Sequence, residues 1–210
     1  MPRLLLIADG FASGRQGQTA EAVQERVVLL VKAGVAAVQL RDHAAEAESF
    51  AVAVHGLVER LRAVRPDVAL LINRHVKGAE ALGTGAHVGR RGPSVAEARQ
   101  RLGAKALLSV AAHTLEEARQ AAEEGADVVL FSPVFPTASH PKAEPAGLDA
   151  LRRTCVALPD VPVVALGGVT PSRVAPCLDA GAHGVAVLSA LLDASDPIRA
   201  VRAFLTMLPP

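Results

Sequence analysis

The chain has no tryptophan and no tyrosine, two cysteines among 210 residues, and a formal net charge of only +1. Without aromatic stacking platforms or a basic surplus, nucleic acid is a poor partner. Cys155 and Cys177 stand outside any CxxC or Cys/His cluster and read as buried thiols of a reducing cytoplasm. Half the chain is apolar, yet no run approaches the roughly 18 uncharged apolar residues of a membrane helix. MPRLLLIADGF is interrupted by Asp9 and lacks a small-residue cleavage site, so it reads as a first buried strand rather than a signal peptide.

What the sequence does have is a repeating unit. Short apolar runs alternate with longer stretches of helical period: LLLIAD (4–9), AAVQLR (36–41), ALLIN (69–73), AHVG (86–89), ALLSV (106–110), DVVLFS (127–132), VPVVALG (161–167) and HGVAVLS (183–189). Continuous rather than alternating apolarity marks strands buried on both faces. Between them, TLEEARQAAEEG has a threonine cap, early glutamates and a final glycine, and GVTPSRV predicts Thr170 as cap with Pro171 at the first helical position. Eight such units in about two hundred residues predict one (β/α)8 TIM barrel over residues 1–210, since right-handed crossovers build a parallel sheet. An open doubly wound sheet would carry fewer strands and a GxGxxG first turn, which ADGFASGRQGQT is not.

In such a barrel the chemistry gathers where strands feed their helices. That rim collects Asp9, Gln39, Arg41, His43, Asn73, Arg74, His75, Arg90, Arg91, His113, the loop from Ser132 to Lys142, Gly167, Gly168 and Ser189. Such a set of cations and hydrogen-bonding groups suits a small anionic molecule. ALGGVTP and AVLSA, after strands seven and eight, predict a phosphate cup of Gly167, Gly168, Leu188 and Ser189. There backbone N–H groups approach unhindered and a helix begins at once. Gln39 and Arg41 lie two apart on a strand and so face the barrel mouth together. Arg41 is expected to clamp an anion rather than form a structural ion pair. Asn73, Thr137 and Ser139 are further ligand candidates; His87, His55 and His183 read as structural, and His113 as ordering a loop.

QLRD, IN, GAHVG, AAHTLEEA, GADVVLFSPVFPT, VPVVALGGVTP and AGAHGVAVLSA, in that order, resemble the thiamine phosphate synthase and TenI superfamily. The resemblance implies a (β/α)8 barrel of thiamine biosynthesis that holds a thiazole phosphate at the strand-seven and strand-eight loops. Two activities are implied by the two branches. The synthase joins a pyrimidine diphosphate to thiazole phosphate with Mg²⁺ and several cations. Against that branch, His43 and His140 stand where lysines are expected, Arg74 and Gly92 where magnesium-binding aspartates are expected, and Ala111 where a serine is.

The tautomerase branch aromatises a thiazole carboxylate phosphate by moving a proton, with no metal or other cofactor. Its expected histidine is Pro133 here. The loss of carboxylates and lysines leads the expectation to the tautomerase, an isomerase. In that reading Arg41 holds the carboxylate and His140, or else His43, carries the proton. The alternatives are a divergent synthase, the only reading that calls for Mg²⁺, and a non-catalytic barrel binding thiazole or thiamine phosphates. The expected partner is a small thiazole phosphate in the cytoplasm, with neither nucleic acid nor membrane; homo-oligomerisation stays open.

Overall fold

A computed structural model describes residues 1–90, 92–139 and 141–209. Eight parallel strands close into a barrel in sequence order. They are β1 Leu4–Asp9, β2 Ala37–Arg41, β3 Ala69–Asn73, β4 Gly85–Val88, β5 Leu108–Ala112, β6 Val128–Phe131, β7 Val163–Leu166 and β8 Gly184–Val187. The ladder closes where β1 meets β8, with Leu4 opposite Val185 and Leu6 opposite Val187. Almost every strand residue is buried, which accounts for the unbroken apolar runs.

The helices are α1 Ala20–Lys32, α2 Ala47–Val64, α3 Val76–Ala81, α4 Val95–Leu102, α5 Leu115–Glu123, α6 Gly147–Ala157, α7 Pro171–Asp179, α8 Ser189–Leu192 and α9 Pro197–Met207. Their starts follow local chemistry. Thr114 accepts the Glu117 N–H at 3.1 Å, the cap the sequence predicts. Thr170 caps α7 by position only; its hydroxyl meets that of Ser172 at 3.1 Å, leaving the expected side-chain cap bond unmade.

Apart from β1 and β3, the strand bounds differ by one to two residues at one or both ends from the runs read in the sequence. Strand β5 begins two residues later than ALLSV suggests, because Arg99 takes the Ala106 carbonyl at 2.8 Å. The same guanidinium binds the Gly125 carbonyl and Asp127, whose carboxylate accepts the Leu108 N–H at 2.7 Å. After β8 the chain makes one short turn of helix, α8, and then starts α9 at Pro197, with Asp196 accepting the Arg199 N–H at 2.9 Å.

Cys177 is buried and Cys155 partly so; both are free, and burial pushes each thiol up to about 11. No helix among the described residues is long and apolar enough to cross a membrane.

His87 sits in the barrel wall on β4, its Nδ1 2.8 Å from the hydroxyl of Ser109, its register partner on β5. Burial, followed by the charge of Arg41, pushes its imidazolium down to about 3. An unfolded histidine titrates near 6.5, so below that pH the unfolded chain takes up a proton that the folded barrel refuses. Stability from this group is therefore intact above about pH 6.5 and is lost as pH falls toward 3. Urea denaturation between pH 7 and 4 should show His87→Asn flattening the acid-side fall by up to about 1.4 kcal/mol per pH unit. Parallel curves for the two proteins would assign the acid sensitivity to other groups.

Candidate active site

At the carboxyl ends of the strands lies a cleft of about 830 Å³. It gathers Gln39, Arg41, His43, Asn73, Thr137, Ser139, Gly167, Gly168, Leu188 and Ser189. Arg74, His87, Arg90, His113, Ser132 and Pro133 complete its wall. His140, a leading candidate from sequence, lies outside the described residues, as does Arg91.

One side of the cleft is built by the diglycine after β7. Gly167 and Gly168 adopt φ of +96° and +63°, where side chains are disfavoured. A Cβ on Gly167 would lie 2.7 Å from that of Pro133, and one on Gly168 would strike the Pro136 carbonyl. The reason is that residues 134 and 135 continue the ladder past β6. The Val134 N–H donates to the Leu166 carbonyl at 2.9 Å, and the Phe135 N–H to the Gly167 carbonyl at 3.1 Å. Arg173, on the first turn of α7, locks the pair together. It donates to the Gly168 carbonyl at 2.5 Å and lies 4.6 Å over the Phe135 ring. The glycines thus serve close packing of the FSPVFPT segment as well as an open backbone on the cleft. Arg173 was missed in the sequence because GVTPSR reads only as a helix start.

The opposite side carries charge. Arg41 Nε lies 3.3 Å from Asp9, which also faces Arg15 at 3.4 Å; Arg15 in turn grips Asp193 at 3.0 and 2.8 Å. Arg41 therefore makes the ion pair that the sequence reading set aside, while its side chain still lines the cleft. Arg15 and Asp193 were beyond sequence reasoning, since 178 residues separate them. Gln39 is 2 % exposed, and its Nε2 has no hydrogen-bond partner among the described residues. A buried unpaired amide N–H costs about 1–3 kcal/mol, so this position calls for an acceptor from a ligand.

Beyond β3, Arg74 takes a left-handed backbone, φ +66°, uncommon for a residue with a side chain. Its N–H bonds the His87 carbonyl at 2.8 Å, and its Nη1 lies 3.4 Å from His43 Nδ1. A guanidinium can only donate, so His43 meets it with an unprotonated nitrogen. Burial first, then Arg41, hold the His43 pKa below its ordinary value, with Asp9 opposing. His113 ties the β5 and β6 ends, its Nδ1 2.7 Å from the Ser132 carbonyl and its N–H donating to Glu117 at 2.7 Å. His183 meets the Met1 carbonyl at 2.7 Å, whereas His55 is exposed on α2 and not part of the core.

The synthase branch implies a protein-held Mg²⁺, which favours hard oxygen ligands such as carboxylates. Positions 74 and 92 offer a guanidinium and no side chain. Nearby, Asp9 is engaged by two arginines. Asp42 accepts from the Ser13 hydroxyl and from the N–H groups of Ala12, Ser13, Ala44 and Ala45. Burial raises its pKa, but these donors outweigh burial and keep the carboxyl ionised below its ordinary value. Among the described residues no group of three or more His, Cys, Asp or Glu side chains could hold a metal. The residues present do not fit a protein-held magnesium ion.

The model of a family described as thiamine monophosphate synthase matches residues 10–191. A putative thiamine-phosphate synthase from Geobacter sulfurreducens is 38% identical over 99% of this chain and 94% of its own. A thiamine-phosphate synthase from Chloroflexus aurantiacus is 37% identical over 95% and 89%. A bifunctional thiamine biosynthesis protein ThiM/ThiE from Symbiobacterium thermophilum is 46% identical over 67% of the chain, which spans 30% of that longer protein. Among solved structures, a thiamine phosphate pyrophosphorylase from Pyrococcus furiosus superposes with a TM-score of 0.82 at 25% identity, covering 98% of this chain and 94% of that one.

These relatives overturn the expected isomerase. Proteins similar over nearly the whole chain are named as synthases, which are transferases, and the TenI-like tautomerase reading is withdrawn. Missing lysines and carboxylates misled because they measure how the synthase site is equipped rather than which branch the whole chain follows. From the family match and the full-length relatives, the chain belongs to the thiamine monophosphate synthase family.

Proposed function

We propose that this barrel joins a pyrimidine diphosphate to a thiazole phosphate, giving thiamine phosphate and pyrophosphate. The observation that carries the reading is one cleft with two anion-receptive sides, in a chain whose full-length relatives are named thiamine-phosphate synthases. Two phosphorylated substrates need two such sides. The turn of Gly167 and Gly168, with Leu188 and Ser189, offers backbone N–H groups to the thiazole phosphate. Gln39, Arg41 and Asn73 face the pyrimidine diphosphate, and the hydroxyls of Thr137 and Ser139 contribute hydrogen bonds from the β6 loop.

In the condensation, the bond from the pyrimidine methylene carbon to the diphosphate oxygen breaks, and its electron pair leaves with the diphosphate. The thiazole nitrogen supplies the pair for the new carbon–nitrogen bond. No proton changes hands, so neither His43 nor His140 serves as a proton carrier here. His43 instead acts as a neutral acceptor that steadies Arg74 across the rim. Proximity of the two substrates in one cleft and stabilisation of the departing charge supply the catalysis.

Incubation of the purified chain with both substrates should yield thiamine phosphate and pyrophosphate by chromatography. Tight binding of either substrate without product would leave a binding barrel instead. Gln39→Leu removes a buried amide that lacks a partner until substrate arrives. It should leave the thermal midpoint equal or higher while cutting kcat/KM about tenfold or more. A parallel loss of stability and activity would show Gln39 to be structural. Gly168→Ala should raise KM for the thiazole phosphate and lower stability by about 1–2 kcal/mol or more from the left-handed backbone alone. An unchanged KM would remove the glycine turn from the phosphate site.

A further inference from the structure

Resting on the synthase reading, we propose that Arg74, with Arg41 and the Gln39 amide, binds the substrate diphosphate directly and neutralises its departing charge without a protein-held divalent cation. The first support is placement. Arg74 stands at the end of β3, and a Cβ on Gly92 would lie 3.7 Å from its Cγ. Residues 74 and 92 therefore share one spot on the rim, and the guanidinium stem occupies it.

The second support is the balance of charge on this side. Arg41 and Arg74 both line the cleft, and His43 meets Arg74 as a neutral acceptor. The nearby carboxylates, Asp9 and Asp42, are already engaged by arginines or by N–H and hydroxyl donors. Third, Gln39 presents a buried Nε2 that has no partner among the described residues. An amide donor and two guanidinium groups match the oxygens of a diphosphate, and guanidinium forks bind phosphate in bidentate fashion. Carboxylates at the same rim would need a bridging cation to do so; arginine needs none. As the carbon–oxygen bond breaks, negative charge grows on the diphosphate, and Arg74 offsets it where it develops.

The test uses inorganic pyrophosphate as the probe. Calorimetric titration in excess EDTA should show the wild-type protein binding pyrophosphate. Arg74→Gly should bind about tenfold or more weakly and Arg74→Lys in between. Glycine suits the left-handed backbone at this position, and circular dichroism reports whether the variant folds. Pyrophosphate binding that requires Mg²⁺, or that is equal in wild type and Arg74→Gly, overturns the clamp. The wild-type comparison with and without Mg²⁺ holds even if the glycine variant fails to fold. Condensation run in parallel separates the two ideas. Product formed in EDTA supports a metal-free clamp, and product formed only with Mg²⁺ overturns it while the synthase reading stands. Absence of product in both conditions overturns the synthase reading, and the pyrophosphate titration then still decides whether Arg74 makes a diphosphate site.

Discussion

Closure of the parallel ladder is the constraint from which the site follows. With every strand running the same way and β8 paired back onto β1, all eight carboxyl ends open on one rim. Residues from position 7 to position 190 then line a single cleft. The barrel wall has no free edge to repair, so strand ends can carry polar groups without exposing an unpaired ladder. That is why Gln39, Asn73 and His87 can sit among apolar neighbours and still reach the cleft.

The fold was legible because buried parallel strands write themselves as continuous apolar runs. LLLIAD and ALLIN have the same bounds in sequence and structure. Boundaries were less legible where a distant side chain intervened: nothing in ALLSV announces that Arg99 will take the Ala106 carbonyl. The cleft's composition could be read from strand ends, since the barrel architecture dictates where those ends go. Its electrostatics could not. The run Asp193–Arg15–Asp9–Arg41 joins the two ends of the chain, and left-handed Arg74 depends on a backbone angle that no residue pattern encodes. The reaction was misjudged for a related reason. Individual motif positions report which groups are present, whereas similarity along the whole chain reports ancestry.

In the proposed reading, the two sides of the cleft recognise anions differently. On the β7 side the proposed cup is bare backbone, which would place dipoles close to a ligand at no net charge. On the β2 and β3 sides the protein uses guanidinium groups, with Arg41 held by a carboxylate and Arg74 near a neutral imidazole. Compensating Arg41 through Asp9 limits repulsion among the cations before a ligand arrives. A neutral His43 beside Arg74 avoids adding another positive charge to the same rim.

Arg173 grips the Gly168 carbonyl and covers the Phe135 ring, while Val134 and Phe135 are hydrogen-bonded to the end of β7. The loops after β6 and β7 are consequently one mechanical body rather than two neighbouring flaps. A ligand that pulls on the glycine turn pulls on the segment leading to Thr137 as well. A displacement of the glycine turn is thereby passed on, through a single arginine and two backbone bonds, to the start of the β6 loop.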